Sequence, residues 1–546
     1  MLSKYKRKWI PMLLAFLLSV FHVSGRQFSI KYGTALYLFP FMQNREMLTA
    51  FQCVIAVLME WILLSIAFYA AFELLERMNR WDRAGALGTL NREHGHLWLC
   101  AAIILYVVYL LYLLGCYPGF YCYDMGNQLP QVMYPEVPYD AHHPLLHTII
   151  GGGLITLGYR LYSVDLTFGI FLYHAAQMGI CAVCFGYAVR FAYRISCKRF
   201  IVVLSMLFYL LCPPIVIFAM TTTKDVSCYA IFLVACLKEY ELCQSLGEGK
   251  EIKRSQWLWT GSLLVLACLL RKNNIYALLV FAVIQIILFR KQLRRLILFY
   301  LCTLVLYFSV QNGVILCLNA EKSSITEALS VPFQQMARVY ADYGEDGFSQ
   351  EELRLLYDAI EPSMLETYDP MISDSVKYAF WRHWDNIMAK KADYLSLWLR
   401  KGVEYPMCYL LSFGENTYQA WYPWTELMDT HKYRYFDFTE LMAEYARPKC
   451  LPLYDFFMGI LQREYIHVPL LRMAFSIGAM FWFLLITLFY GLWQRSRPAI
   501  AMLLVLLVCV TCMFGPVSDL RYYLILFYLF PVEIALLFRP RGEKCG

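Results

Sequence analysis

LWLCAAIILYVVYLLYLLGC (97–116), running directly into YPGFYCYDMGNQLPQVM (117–133), decides the class of this chain. The first stretch is unbroken by charge and has the roughly 20 apolar residues that a helix needs to cross a hydrocarbon core of about 30 Å. A helix in a soluble domain keeps a polar face, and this one has none. The second stretch opens on aromatic rings, which favour the headgroup level, and then presents the acid Asp124. A span ending in a membrane-edge loop with a carboxylate is therefore the unit from which the reading proceeds.

Working outward, similar apolar runs occur at roughly 9–25, 48–72, 165–189, 200–220, 224–241, 257–270, 274–289, 296–317, 467–492, 499–516 and 521–538. Together they predict an all-α polytopic membrane protein of about twelve transmembrane helices. Composition agrees: 60% of the 546 residues are hydrophobic and 16% charged, against about a quarter charged in soluble domains. The formal net charge of +7 sits in short clusters between apolar runs, which fits cytoplasmic loop ends and gives no sign of a nucleic-acid partner. Most of the nineteen cysteines, such as Cys228, Cys268, Cys302 and Cys509, lie inside apolar runs and read as small packing residues. The C-x-x-C of Cys181 and Cys184 has no His or acid beside it. Only Cys116, Cys122, Cys408 and Cys450 are placed to meet an oxidising compartment, so little disulfide dependence is expected. MLSKYKRKW at the N-terminus, followed by an apolar run, reads as an uncleaved first helix with a cytoplasmic flank. Glu60 interrupts the second run and should face protein or water.

The segment 143–160, HPLLHTIIGGGLITLGYR, is the one that fixes topology. If it spans, the clusters Arg190/Arg194/Lys198/Arg199, Lys250/Lys253/Arg254 and Arg290/Lys291/Arg294/Arg295 lie outside. If it stays in the interface or re-enters, all three fall inside with Arg77/Arg80/Arg83 and Arg539/Arg541/Lys544. The positive-inside rule favours the second arrangement, and three consecutive glycines suit a bent element buried against protein. Both termini are then cytoplasmic, and loops 117–143, 220–225, 271–273 and 517–521 meet outside. The chain divides into an N-terminal two-helix membrane extension (1–96), a transmembrane core with an outer loop (97–318), an extracytoplasmic insert (319–466) and a C-terminal three-helix segment (467–546). The insert is too long for a structureless loop, and SQEELRLLYDAIE (349–361) predicts that it is mainly helical.

The polar residues of the outer loops are the candidates for chemistry. Asp124 can take a proton from a hydroxyl, hold a divalent cation, or cap a helix starting at that position, with Asn127 and Gln128 a turn on. His142, His143 and His147 can cluster; the pair His143/His147 has metal-ligand spacing, and bonding to nearby acids is the plainer reading. TTTKD (221–225) brings Lys224 and Asp225 to the outer end of a helix that Pro213 and Pro214 should kink or end. Those two residues read as a helix cap, or as a second acid beside a phosphate-binding lysine. Arg271, Lys272 and Arg521 run against the positive-inside trend and suit a lipid phosphate; pairing with an acid such as Asp519 is the alternative. In the insert, VPFQQMARVY (331–340) places Gln334, Gln335 and Arg338 on a short amphipathic helix, and WYPW (421–424) offers flat rings that stack on sugars or lipid headgroups.

These motifs, in this order, resemble the glycosyltransferase-C superfamily of polyprenyl-phosphate-sugar-dependent transferases, and most closely a family of bacterial multi-pass proteins with the same layout. The resemblance is carried by YPGFYCYDMGNQ (117–128), HHPLLHT (142–148), TTTKDV (221–226), LRKNNIY (270–276), VPFQQMARVY, ENTYQAWYP (415–423) and DLRYY (519–523). It implies a GT-C-like fold, a catalytic role for Asp124, a second acid at Asp225, and substrate binding by Asn127, Gln128, His142, His143, Lys224, Arg271, Lys272, Arg338 and Arg521. The implied donor is a polyprenyl-phosphate-linked sugar. The acceptor is a glycan, lipid or protein outside the cytoplasm, and the location a bacterial plasma membrane. Asp124 is followed by Met125 and Gly126, where other branches often show Asp-Glu or Asp-Pro, so the resemblance leaves a divalent cation and the acceptor class open.

Two other readings compete. A transporter or flippase of lipid-linked glycans needs charges along a mid-membrane path and internal repeats, and Glu60 is the acid that stands out in a span. A receptor or scaffold would bind a partner through the insert and would not need charge gathered at the outer loops.

Overall fold

The computed structural model describes residues 7–34, 46–81, 95–162, 165–322, 329–425, 444–461 and 474–540. Expectations for Arg83, Arg541, Lys544 and the start of the 467–492 run lie outside the described residues. Among the described residues the chain is helical, with isolated bridges (Phe120 with Thr221, Asp140 with Glu321, Asp369 with Ile372) in place of strands. The protein is an all-α membrane protein.

Every expected apolar run is occupied by a helix. Six are long and apolar enough to cross a bilayer: Trp9–Lys31, Ala50–Asn79, His96–Gly115, Thr167–Ser196, Arg290–Cys317 and Leu520–Leu537. The bent pair Arg199–Leu211 and Pro213–Ala219 makes a seventh if it counts as one span. It turns by 55° where Pro213 and Pro214 remove backbone donors. Among the described residues, length and hydropathy thus mark six or seven candidate spans, where twelve were expected. Asn274–Leu288, Ile477–Trp493 and Arg497–Met513 are apolar but shorter. The Lys224–Glu248 helix carries Lys238, Glu239 and Glu241 within it.

The Leu145–Leu161 segment does not add a crossing. The Gly95–Gly115 helix runs antiparallel to Thr167–Ser196: Trp98 Nε1 bonds to the Val183 carbonyl at 3.0 Å, and Gly119, just past the first helix, lies against His174. One helix arrives at the end where the other begins, so the chain between them leaves that end and comes back. The segment is a helix with one π-turn at Thr148–Gly152, where the glycines were expected to bend it. It returns against the start of Thr167–Ser196, where a Cβ on Gly158 would stand 2.4 Å from Gly169 Cα.

The centre of the bundle is the Leu524–Leu537 helix, buried on every side and apolar around its circumference except at Glu533. The N-terminal hairpin packs outside it, with Phe72 and Asn79 on Tyr490. Glu60 faces protein: His22 Nδ1 of the preceding helix lies 2.8 Å from its carboxylate.

The insert builds its own core from Phe333, Met336, Leu353, Leu356, Phe380, Leu397 and Cys408. Ser349 and Glu352 form a reciprocal capping box at the start of Gln350–Ala359. The separate core ends sooner than the 466 boundary expected. Tyr418, Trp421 and Tyr422 belong to the main bundle, and Leu453 packs on Gly115. The WYPW rings are therefore packing residues; Trp421 meets Phe21 at 5.3 Å between ring centroids. The four cysteines expected to face an oxidising compartment are free thiols.

Candidate functional site

One end of the bundle collects the polar loops. The helix carrying Asp124 begins at Tyr123, with Cys122 as its N-cap residue, so the acid sits in the first turn and does not cap it. Its side chain goes to stronger partners. Asp124 Oδ2 accepts from Arg521 Nη1 at 2.9 Å and from Lys224 Nζ at 3.0 Å. Both donors come from remote chain segments, and charge-assisted bonds of this kind outweigh a backbone cap. Burial alone would favour the protonated acid, but Arg521 and Lys224 outweigh it and hold the Asp124 carboxyl well below the usual range.

Lys224 and Asp225 are neighbours that face apart. Lys224 turns to Asp124, while fully buried Asp225 pairs with Arg271 and accepts from the Thr223 hydroxyl at 3.2 Å. The helix is capped by Thr223 in backbone terms, which displaces the Lys–Asp cap reading. Arg271 also stacks over the Tyr522 ring at 4.6 Å, and Arg521 approaches the same ring at 5.0 Å. Tyr522 thus lies between two guanidinium groups, each paired with a different acid. Arg521 further donates to the Tyr123 hydroxyl at 2.7 Å, and its Nε lies 2.8 Å from Asp519, the acid expected as its alternative partner. Burial pushes the Asp519 carboxyl up against the pull of Arg521. Lys272 donates to the Ala141 carbonyl, and burial lowers its pKa.

The histidines divide. His142 and His143 rings meet edge-on at 4.9 Å, and His143 Nδ1 lies 3.4 Å from Lys224 Nζ. Burial and Lys224 push the His143 imidazole down to about 3, so it is neutral at physiological pH. His147 turns away, between Gln128 Oε1 at 2.8 Å and the Tyr173 hydroxyl at 2.9 Å, so the three histidines do not cluster. Gln128 is committed to that contact, whereas Asn127 on the same helix is exposed.

Sequence reasoning missed the continuation of this buried chain. Tyr173 donates to Gln177 at 2.9 Å, and the Gln177 amide donates to the carbonyls of Phe218, Ala219 and Thr221. A polar Tyr-x-x-x-Gln pair on one face of an apolar helix was the available signal. Sequence reasoning also passed over Glu239 and Glu533, both fully buried within helices of the bundle. Glu239 is held by Gln285 at 2.9 Å, while among the described residues neither Glu533 oxygen has a hydrogen-bond partner.

Arg338 stands apart from the Asp124 cluster. It pairs with Glu415 and, at 2.7 Å, with Asp342, while Lys31 reaches Glu415 at 2.8 Å. One link between the two segments is the Ser518 hydroxyl, beside Asp519, which donates to the Asn416 carbonyl at 3.2 Å. A divalent cation does not fit this donor set. Asp124 and Asp225 are each turned to side-chain cations, and among the described residues no three His, Cys, Asp or Glu come together.

A family model described as a family of unknown function (DUF6020) matches residues 133–544. The match takes in His142, His143, Lys224, Asp225, Arg271, Lys272, Arg338 and Arg521, and begins past Asp124. No curated protein and no solved structure matches the chain.

Proposed function

We propose that this chain, which belongs to the family of unknown function DUF6020, is a membrane glycosyltransferase that moves a sugar from a polyprenyl-phosphate donor to an acceptor outside the cytoplasm. The carrying observation is the shared oxygen of Asp124: a carboxylate at one end of an apolar bundle, held between Lys224 and Arg521 from loops far apart in sequence. Acid and phosphate-binding cations in contact, at a level a lipid headgroup reaches, are what such a transfer requires. In this reading twelve helices cross the membrane, both termini are cytoplasmic, and the cluster faces out from a bacterial plasma membrane. Asp124 takes the proton of an acceptor hydroxyl, whose oxygen bonds to the anomeric carbon. The bond from that carbon to the donor phosphate oxygen breaks, its electron pair leaves with the phosphate, and configuration inverts. The cations act where charge develops.

The test is transfer from a panel of polyprenyl-phosphate hexoses and pentoses by the full chain in vesicles. Asp124→Asn should insert normally and lose at least about 10²-fold in rate, the scale of general-base catalysis. Full activity in that variant removes the base assignment.

A second reading, transport of lipid-linked glycans, is favoured by one observation: Glu533, a buried carboxyl without a partner in the centre of the bundle. Movement of a fluorescent lipid-linked glycan across vesicles, abolished in Glu533→Gln and retained in Asp124→Asn, would establish it instead.

A further inference from the structure

The cations at this end of the bundle are not equivalent. Arg271 is locked: its partner Asp225 is fully buried, and its guanidinium is stacked on Tyr522 and set near Tyr229. Lys272 is spent on the Ala141 carbonyl. Lys224 and Arg521 differ, because both converge on one oxygen of one carboxylate that lies close to the surface; Arg521 keeps Asp519 on its Nε edge and turns Nη1 to that oxygen. The Asp124 side chain is 7% exposed, next to Tyr123 at 44% and the exposed Asn127. Two cations from separate segments focused on a single anionic oxygen form a site for one oxygen of a phosphate group, with Tyr123 and Tyr522 hydroxyls on its rim.

We propose that Lys224 and Arg521 form a binding site for a phosphate-type anion, and that Asp124 is the internal anion that fills it until the ligand arrives. An incoming phosphate competes for both donors and releases Asp124. The site therefore couples binding to chemistry. Asp124 is a feeble proton acceptor while both cations hold it, and it becomes a competent one when the ligand takes them over. This inference rests on the proposed function for that last step alone; the anion site stands without it. Of the four cations expected to meet a phosphate, it keeps Lys224 and Arg521 and sets aside Arg271 and Lys272.

The experiment is direct binding to the full chain in neutral-lipid nanodiscs, with inorganic pyrophosphate and a polyprenyl phosphate as probes. Asp124→Asn removes the competitor and should bind at least about tenfold tighter than wild type, while Lys224→Ala and Arg521→Ala bind at least about tenfold weaker. Binding of both probes identifies a general phosphate site, and binding of the lipid alone identifies a headgroup site. Each is a form of the proposal. Unchanged or weaker binding by Asp124→Asn overturns it, as does failure of both probes to bind wild type. If Asp124→Asn does not fold, labelling of wild-type Asp124 by a water-soluble carbodiimide decides. Labelling should rise when the probe is present, and a constant or falling yield with probe bound overturns displacement. Anion binding by wild type that transfers no sugar from any donor of the panel would sink the enzyme reading and leave this site standing.

Discussion

Arg271→Ala is the variant whose cost follows most directly from geometry. Asp225 has no exposed surface, and among the described residues Arg271 is the one cation paired with it; without it the carboxylate keeps the Thr223 hydroxyl at 3.2 Å. Leaving one member of a buried pair uncompensated costs about 3–5 kcal/mol. Loss of the stack on Tyr522 at 4.6 Å adds about 0.5–2 kcal/mol. At about 1.4 kcal/mol per factor of ten, the ratio of folded to unfolded protein falls by at least about two orders of magnitude. Arg271→Lys should recover part of this, because it restores the charge without the planar fork. The decisive comparison is the double variant Asp225→Asn with Arg271→Met, which removes both charges and should unfold close to wild type. Unfolding of the full chain in dodecyl maltoside, titrated with sodium dodecyl sulfate and read by tryptophan fluorescence, gives the midpoints of wild type and the three variants. A single variant with the wild-type midpoint, or a double variant no better than the single, would refute the argument that this pair is held by mutual compensation.

Three further outcomes are expected. Gly119→Ala should destabilise by more than about 1 kcal/mol in the same titration, because φ is +101° there and the added Cβ would lie 2.4 Å from His174 Nδ1. Stability should fall as pH drops from the unfolded histidine value near 6.5 toward about 3, since unfolded His143 binds a proton that the folded form refuses; His143→Gln should flatten that part of the profile. Gly158→Leu should loosen the Leu145–Leu161 hairpin from its neighbour, seen as faster amide hydrogen exchange across Gly153–Leu161 with the central Leu524–Leu537 helix unaffected.

The helices were legible because each apolar run carries its own signal: charge is absent for a turn-by-turn stretch, and Pro213–Pro214 marks the 55° break locally. The return of Leu145–Leu161 to its starting end was legible from the sidedness of the basic clusters, a constraint that acts on the whole chain. Pairing was not. Nothing in TTTKD says that Lys224 and Asp225 face apart, since that depends on Arg521 and Arg271 arriving from remote segments. Trp421 and Tyr422 read as surface rings because they flank a proline in a polar stretch, yet the N-terminal hairpin covers them. Glu533 escaped notice as a single acid in a long apolar run, and Glu239 as one of three charges, with Lys238 and Glu241, at the end of another; the surroundings of each are decided by other helices.

The broken helix at Pro213 has one more consequence. At the end of its second half, Pro213–Ala219, and in the turn beyond, the Gln177 amide is shared among the carbonyls of Phe218, Ala219 and Thr221. One side chain thereby clamps the floor beneath Lys224, and that floor cannot shift without surrendering all three bonds together. A ligand competing for Lys224 therefore meets a cation whose backbone support is tied to the Thr167–Ser196 helix.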